Sequence, residues 1–203
     1  MIKTKRYVIC GMTAVLITTV LIGVYIIHFQ PAAHIYNNST ITTHVGNRNQ
    51  SINYVTYTTA NFTIDYPADW TVIPAESKIS FVSKTGYEGG YITLTIQLLS
   101  SIESGGIYHS IDDVVVDLVQ QFQEEGINIS NVNTNYEKEE EVSGAKGKEV
   151  CISYISDNIS YTQTQIIAKK GKYFYALTYH ALSSYYSEQE EVYEHAKKHW
   201  TWK

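Results

Sequence analysis

Hydrophobic and polar positions change rhythm several times along the chain, and each change marks a different element. From Tyr7 to Phe29 the residues are almost continuously apolar and carry no charge. The 22 residues Val8 to Phe29, wound as a helix, extend roughly 33 Å, enough to cross a hydrocarbon core of about 30 Å. From Pro31 to Asn53 the pattern becomes Asn, Ser, Thr and His with few large apolar side chains, a composition that buries too little surface to offset its ordering entropy. It reads as a stalk.

Near Tyr54 a period of two begins. Phe62, Ile64 and Tyr66 alternate with Thr63 and Asp65, which predicts a half-buried strand closed by Pro67. Ile79–Ser83 and Tyr91–Leu99 predict a hairpin across Gly86 and Gly89-Gly90. The period then shifts to that of a helix. Ser110 and Asp113 form a capping-box variant, Ile111, Val114, Val115, Leu118, Val119 and Phe122 line one face, and Gly126 stops the run.

Alternation returns at Val150, Ile152 and Tyr154, again over Tyr161–Ala168, and again over Tyr173–Tyr179, with turns at Asp157-Asn158 and Lys170-Gly171. These predict three consecutive antiparallel strands. Ser187 and Glu190 suggest a second capping box, followed by a helix with Val192, Tyr193, Ala196 and Trp200 on its inward stripe. The order of elements implies an α+β class, with helices flanking a mostly antiparallel sheet. The expected organisation is a cytoplasmic N-terminus over 1–6, a transmembrane helix over 7–29, a polar stalk over 30–53 and one ectodomain over 54–203.

Charge orients this arrangement. Lys3, Lys5 and Arg6 precede the span and no Lys or Arg follows until Arg48, so the positive-inside rule places everything after Gln30 outside the cell membrane. A cleaved signal peptide is the rival reading, but its apolar core is normally about 7–15 residues. Cys10 lacks the small residue before it that lipoprotein processing needs. Beyond the span the chain has 12 basic and 20 acidic residues, which disfavours nucleic acid and anionic lipid. Arg6 and Arg48 are the only arginines, so phosphorylated ligands lack their usual reader. Six N-glycosylation sequons, at Asn37, Asn38, Asn49, Asn61, Asn128 and Asn158, fit either a glycosylated surface protein or a chain rich in Asn and Thr.

Several short pieces appear in the order found in PsbP-like domains. Asn61-Phe62-Thr63-Ile64-Asp65-Tyr66-Pro67-Ala68-Asp69-Trp70 resembles the F-x-I-x-Y-P-x-x-W opening of that family. Ile79–Ser83, Ser110–Asp113, Gly144–Val150 and Tyr173–Tyr179 follow in the same order, so the resemblance covers about 54–203. It implies an α/β/α sandwich with a central antiparallel sheet, a fold shared with DcrB-like proteins, and a membrane-anchored member from an archaeal or bacterial envelope. Plant members dock on photosystem II as soluble lumenal proteins with basic surfaces, whereas this chain is acidic and tethered. The family mostly binds or helps assemble other proteins.

Candidate chemistry is sparse. His195 and His199 lie four apart, with Glu191 one turn earlier, a spacing that suits three metal ligands on one helix face or simply a solvated polar face. Glu137, Glu139, Glu140 and Glu141 read as a solvated acidic loop, with cation attraction as the alternative. Asp65 and Asp69 bracket a proline turn and either hold it or do acid/base work. Cys151 is expected to be a small buried core residue. Of the 18 tyrosines, Tyr185 and Tyr186 precede the last helix and are the expected exposed pair for partner contact. With no catalytic motif and no cofactor signature, the expectation is an extracytoplasmic binding or assembly domain engaging an envelope protein. An envelope enzyme acting on glycan or peptide and a surface-layer spacer are the alternatives.

Overall fold

The computed structural model describes residues 52–83, 92–124, 127–133 and 139–203. The expected transmembrane helix, the stalk up to residue 51, Asn37, Asn38, Asn49, Cys10, Gly86, Gly126 and Glu137 lie outside the described residues. Among the described residues, no helix is long and apolar enough to cross a membrane.

Two sheets form. Strands β1 (Tyr54–Thr58), β2 (Phe62–Pro67) and β11 (Thr201–Trp202) make a small antiparallel sheet in the order β1-β2-β11. The larger sheet contains β3 (Thr71–Pro74), β4 (Lys78–Val82), β5 (Thr93–Ser100), β6 (Asn128–Asn133), β7 (Glu139–Val142), β8 (Ala145–Ser156), β9 (Ile159–Lys170) and β10 (Tyr173–Leu182). Its order is β3-β4-β5-β10-β9-β8-β6, with β7 also on β8, and all its strand pairs are antiparallel. The α-helices among the described residues are α1 (Ile111–Glu124) and α2 (Glu190–Lys198).

Turn chemistry fixes the registers of β7 to β10. Asp157 and Asn158 take φ 51° and 64°, the left-handed pair that a two-residue hairpin needs, so Ser156 faces Ile159. Ser143 and Gly144 (φ 48° and 80°) do the same between β7 and β8, a hairpin that the serine-glycine pair could have signalled. The β9–β10 loop is Gly171-Lys172, one residue later than expected, because the left-handed position must fall on Gly171 (φ 59°).

The core has a layer on each face of the large sheet. Along β10 the parity is strict: Phe174 and Ala176 join the layer under α1, while Tyr175, Leu177 and Tyr179 join the layer under α2. A strand buried on both faces loses alternation and reads as a continuous apolar run. Val114, Val115, Leu118 and Phe122 of α1 cover one face against Val150, Ile152, Tyr154 and Ile167. Val192, Tyr193 and Ala196 of α2, with Phe62 and Ile64 of the small sheet, cover the other. Phe62 and Ile64 therefore belong to a second sheet that flanks the central one.

Local capping differs at the two helices. At α1 the box closes: the Asp113 N–H donates to Ser110 Oγ at 3.2 Å, and the Ser110 and His109 N–H groups donate to Asp113 Oδ2 at 3.0 and 2.7 Å. The His109 bond, with Ser110, holds the Asp113 carboxyl below its usual pKa. At α2 the expected box is absent. Gln189 is the N-cap without a side-chain cap bond, and Ser187 lies in a 3-10 turn over Tyr186–Glu188. That turn is pinned where Tyr179 Oη donates to the Tyr186 carbonyl at 2.9 Å. Trp200 is buried as expected but lies beyond the helix, between α2 and β11.

Candidate functional site

Sequence spacing grouped Glu191 with His195 and His199, whereas the fold replaces Glu191 by Asp65. Among the described residues, Asp65, His195 and His199 each offer a ligand atom within 4.8 Å of the others'. Asp65 enters because β2 lies beside α2, so a strand near the start of the domain meets the last helix. His195 Nε2 lies 3.3 Å from Asp65 Oδ2, and both side chains are half-buried. Thr56 of β1 donates its hydroxyl to Asp65 Oδ1 at 2.7 Å. The Tyr54 ring stacks on the His195 imidazole at 3.6 Å, and the His199 ring stacks on the same imidazole at 4.0 Å.

The end of α2 orients His199. Its Nδ1–H donates to the His195 carbonyl at 2.8 Å, while its backbone N–H donates to the same oxygen at 3.0 Å. A carbonyl only accepts, so in the neutral ring the proton sits on Nδ1 and Nε2 keeps its lone pair. Burial, reinforced by the Glu191 charge, raises the Tyr54 pKa. Glu191 itself is exposed. Asp69 is exposed in the turn after β2 and is not part of the group.

The acidic run is only partly a solvated face. Glu139–Val142 is strand β7, and Glu140 meets Lys197 of α2 at 3.0 Å, with both side chains mostly buried. Lys197 also pairs with Glu149 at 2.9 Å and Glu194 at 3.0 Å, while Tyr193 Oη donates to Glu149 at 2.7 Å. Burial alone would lower the Lys197 pKa, but the hydrogen bonds to Glu149, Glu140 and Glu194 reverse this and hold it above the usual lysine range. Burial and the facing Glu149 push the Tyr193 phenol well above its ordinary value. Lys197→Met should therefore remove the cation that faces Glu140 and Glu149, at a cost of about 2–3 kcal/mol after allowing for their partial exposure. Urea denaturation checks this, and Lys197→Met combined with Glu140→Gln and Glu149→Gln should recover part of the loss.

The expected exposed tyrosines are half-buried instead. Tyr186 packs on the layer under α2, and its hydroxyl bonds Thr164; burial pushes its pKa up to about 12. Tyr185 packs against the other layer, that of α1. The 3-10 turn that follows β10 brings Tyr186 onto Thr164 of β9 and Tyr179 of β10. Cys151 is likewise half-buried, on β8. Of the described sequons, Asn61 and Asn158 are exposed, and Asn128 begins β6. Sequence reasoning missed His180. Its imidazole is buried on β10 beside the stacked rings of Tyr154 and Tyr161, with Nε2 2.7 Å from Tyr154 Oη. Its position inside a long apolar strand was the available signal.

No family model and no curated protein matches this sequence. Solved structures that share the fold include two with TM-scores above 0.5. LpqN of Mycobacterium tuberculosis, described as involved in cell envelope biogenesis, aligns at TM-score 0.53 and 13% identity, covering 76% of this chain and 93% of that one. Cyanobacterial PsbP of Synechocystis sp. PCC 6803 aligns at TM-score 0.51 and 9% identity, covering 80% and 97%. At these identities the likeness establishes a PsbP-like fold and leaves function to the residues.

Proposed function

We infer that the chain is a membrane-anchored extracytoplasmic binding or assembly domain, held outside the cell by residues 7–29 and engaging an envelope protein without turnover of its own. The observation that carries this reading is the outer flank of α1. There Val116 is 62% exposed and lies with Val119 on a helix flank that also carries Gln120, Gln123 and Glu124. An exposed apolar flank on an acidic ectodomain favours a docking surface over a spacer. LpqN, which shares the fold, is described as acting in cell envelope biogenesis, and that context supports the reading.

One contact favours a second reading, an envelope enzyme acting on glycan or peptide: a carboxylate and an imidazole meet where Asp65 and His195 face each other at 3.3 Å. Crosslinking in intact cells followed by mass spectrometry separates the two. One or two recurrent envelope partners, lost in Val116→Lys, are expected for the binder. The absence of partners, together with a hydrolytic activity abolished in Asp65→Asn, would favour the enzyme. Protease added to intact spheroplasts should also degrade the C-terminal domain. Survival of a C-terminal tag until the membrane is broken would reverse the topology.

A further inference from the structure

We propose that Asp65, His195 and His199 bind one divalent transition cation of the zinc class, a property independent of the docking reading above. Two imidazoles and a carboxylate suit borderline cations such as Zn²⁺, whereas Ca²⁺ and Mg²⁺ take oxygen ligands throughout. The spacing fits as well. Bonds of about 2.0–2.1 Å to a tetrahedral ion put neighbouring ligand atoms roughly 3.3–3.4 Å apart. His195 Nε2 and Asp65 Oδ2 already stand at 3.3 Å. His199, exposed at the end of α2 and within the same 4.8 Å group, completes the set by a small shift that closes this distance. Histidines four apart on a helix converge readily on one ion.

The surroundings are those of a supported site. The Thr56 hydroxyl orients the Asp65 carboxylate from the side away from His195, through Oδ1. The His195 carbonyl fixes the His199 tautomer, and the Tyr54 ring holds the His195 plane. Such outer contacts orient ligands and increase their affinity for metal. An ordinary ion pair between Asp65 and His195 would explain two of the three residues and give His199 no part, so His199 discriminates between the readings. The fourth position faces solvent beside His199 and would hold water or a side chain from another protein. A bound ion would join β2 to α2 next to Tyr54, the first residue of β1.

The test uses the full chain in detergent micelles, stripped with EDTA and titrated with Zn²⁺ by calorimetry. The expected result is one Zn²⁺ per chain with a dissociation constant on the order of 1 μM or tighter, and a melting temperature raised by several degrees at saturation. His199→Ala and Asp65→Asn should each weaken binding by about tenfold or more. Glu191→Gln and Cys151→Ser should bind as the wild type does. His199 is exposed, so its variant should keep the zinc-free circular dichroism and melting of the parent, which separates lost ligation from lost folding. Failure to saturate by about 100 μM Zn²⁺, or wild-type affinity in His199→Ala, would overturn the proposal.

Discussion

Replacing Trp200 by alanine should destabilise the domain by about 3–5 kcal/mol, the range for truncating a large buried aromatic. Trp200 is essentially inaccessible to solvent and stands where three elements meet. Its ring lies 6.1 Å from Phe62 of β2, 6.4 Å from Tyr175 of β10 and 4.7 Å from Trp202 of β11. Alanine would leave a cavity between α2, the small sheet and the central sheet. Rings this interlocked cannot all move to fill it. For a domain of this size the loss corresponds to roughly 10 °C or more in melting temperature. Trp202→Ala is the internal comparison. Trp202 is half-buried and donates from Nε1 to the Val142 carbonyl at 3.0 Å, so its removal should cost distinctly less. Denaturation followed by far-UV circular dichroism measures both. A Trp200→Ala variant within about 1 kcal/mol of the parent would mean that the C-terminal segment is not part of the core.

His180 should make the protein sensitive to acid well above the pH at which most carboxylates titrate. Complete burial lowers its pKa from 6.5 to about 4, because an imidazolium packed against Tyr154 and Tyr161 would lose its hydration. Its Nδ1 has no hydrogen-bond partner, so no protein acceptor stands ready for the second proton. The folded pKa lies below the unfolded one. Between these values the unfolded chain therefore binds more protons, and stability decreases as pH falls. The contribution is fully present above about pH 6.5 and is lost progressively down to about pH 4, a change of about 3 kcal/mol from this residue alone. His180→Gln cannot titrate in this window and keeps a polar group facing Tyr154. Urea unfolding at half-unit steps from pH 7 to 4 should show the parent losing about 3 kcal/mol more than the variant. Parallel curves would show that His180 is protonated at no net cost in the fold.

The elements of this chain were readable wherever nearest neighbours decide the outcome. The capping box at Ser110 and Asp113, the α1 stripe, the Asp157-Asn158 turn and the three long strands after it all rest on periodicity or on backbone preferences within a few residues, and all of them form. The PsbP-like order of motifs likewise anticipated an antiparallel sheet between helical layers. Where local signals misled, packing had overridden them. Ser187 has the right spacing to cap, but Tyr186 is drawn onto the sheet and tightens the turn around it. Glu140 looked like one more solvated acid until Lys197 arrived from 57 residues further along the chain.

The candidate metal site shows the same division most clearly. Its two histidines come from one helix turn, and their spacing is written in the sequence. The third member is 130 residues away from His195, on a strand whose own pattern speaks only of alternation. Which carboxylate completes the set depends on β2 pairing with β1 and β11 and lying against α2, a consequence of burying Phe62, Ile64 and Trp200 together. Helical periodicity selects Glu191 because it measures distance along one helix. Asp65 is selected by distance through space, which the hydrophobic core sets and the helix alone does not contain.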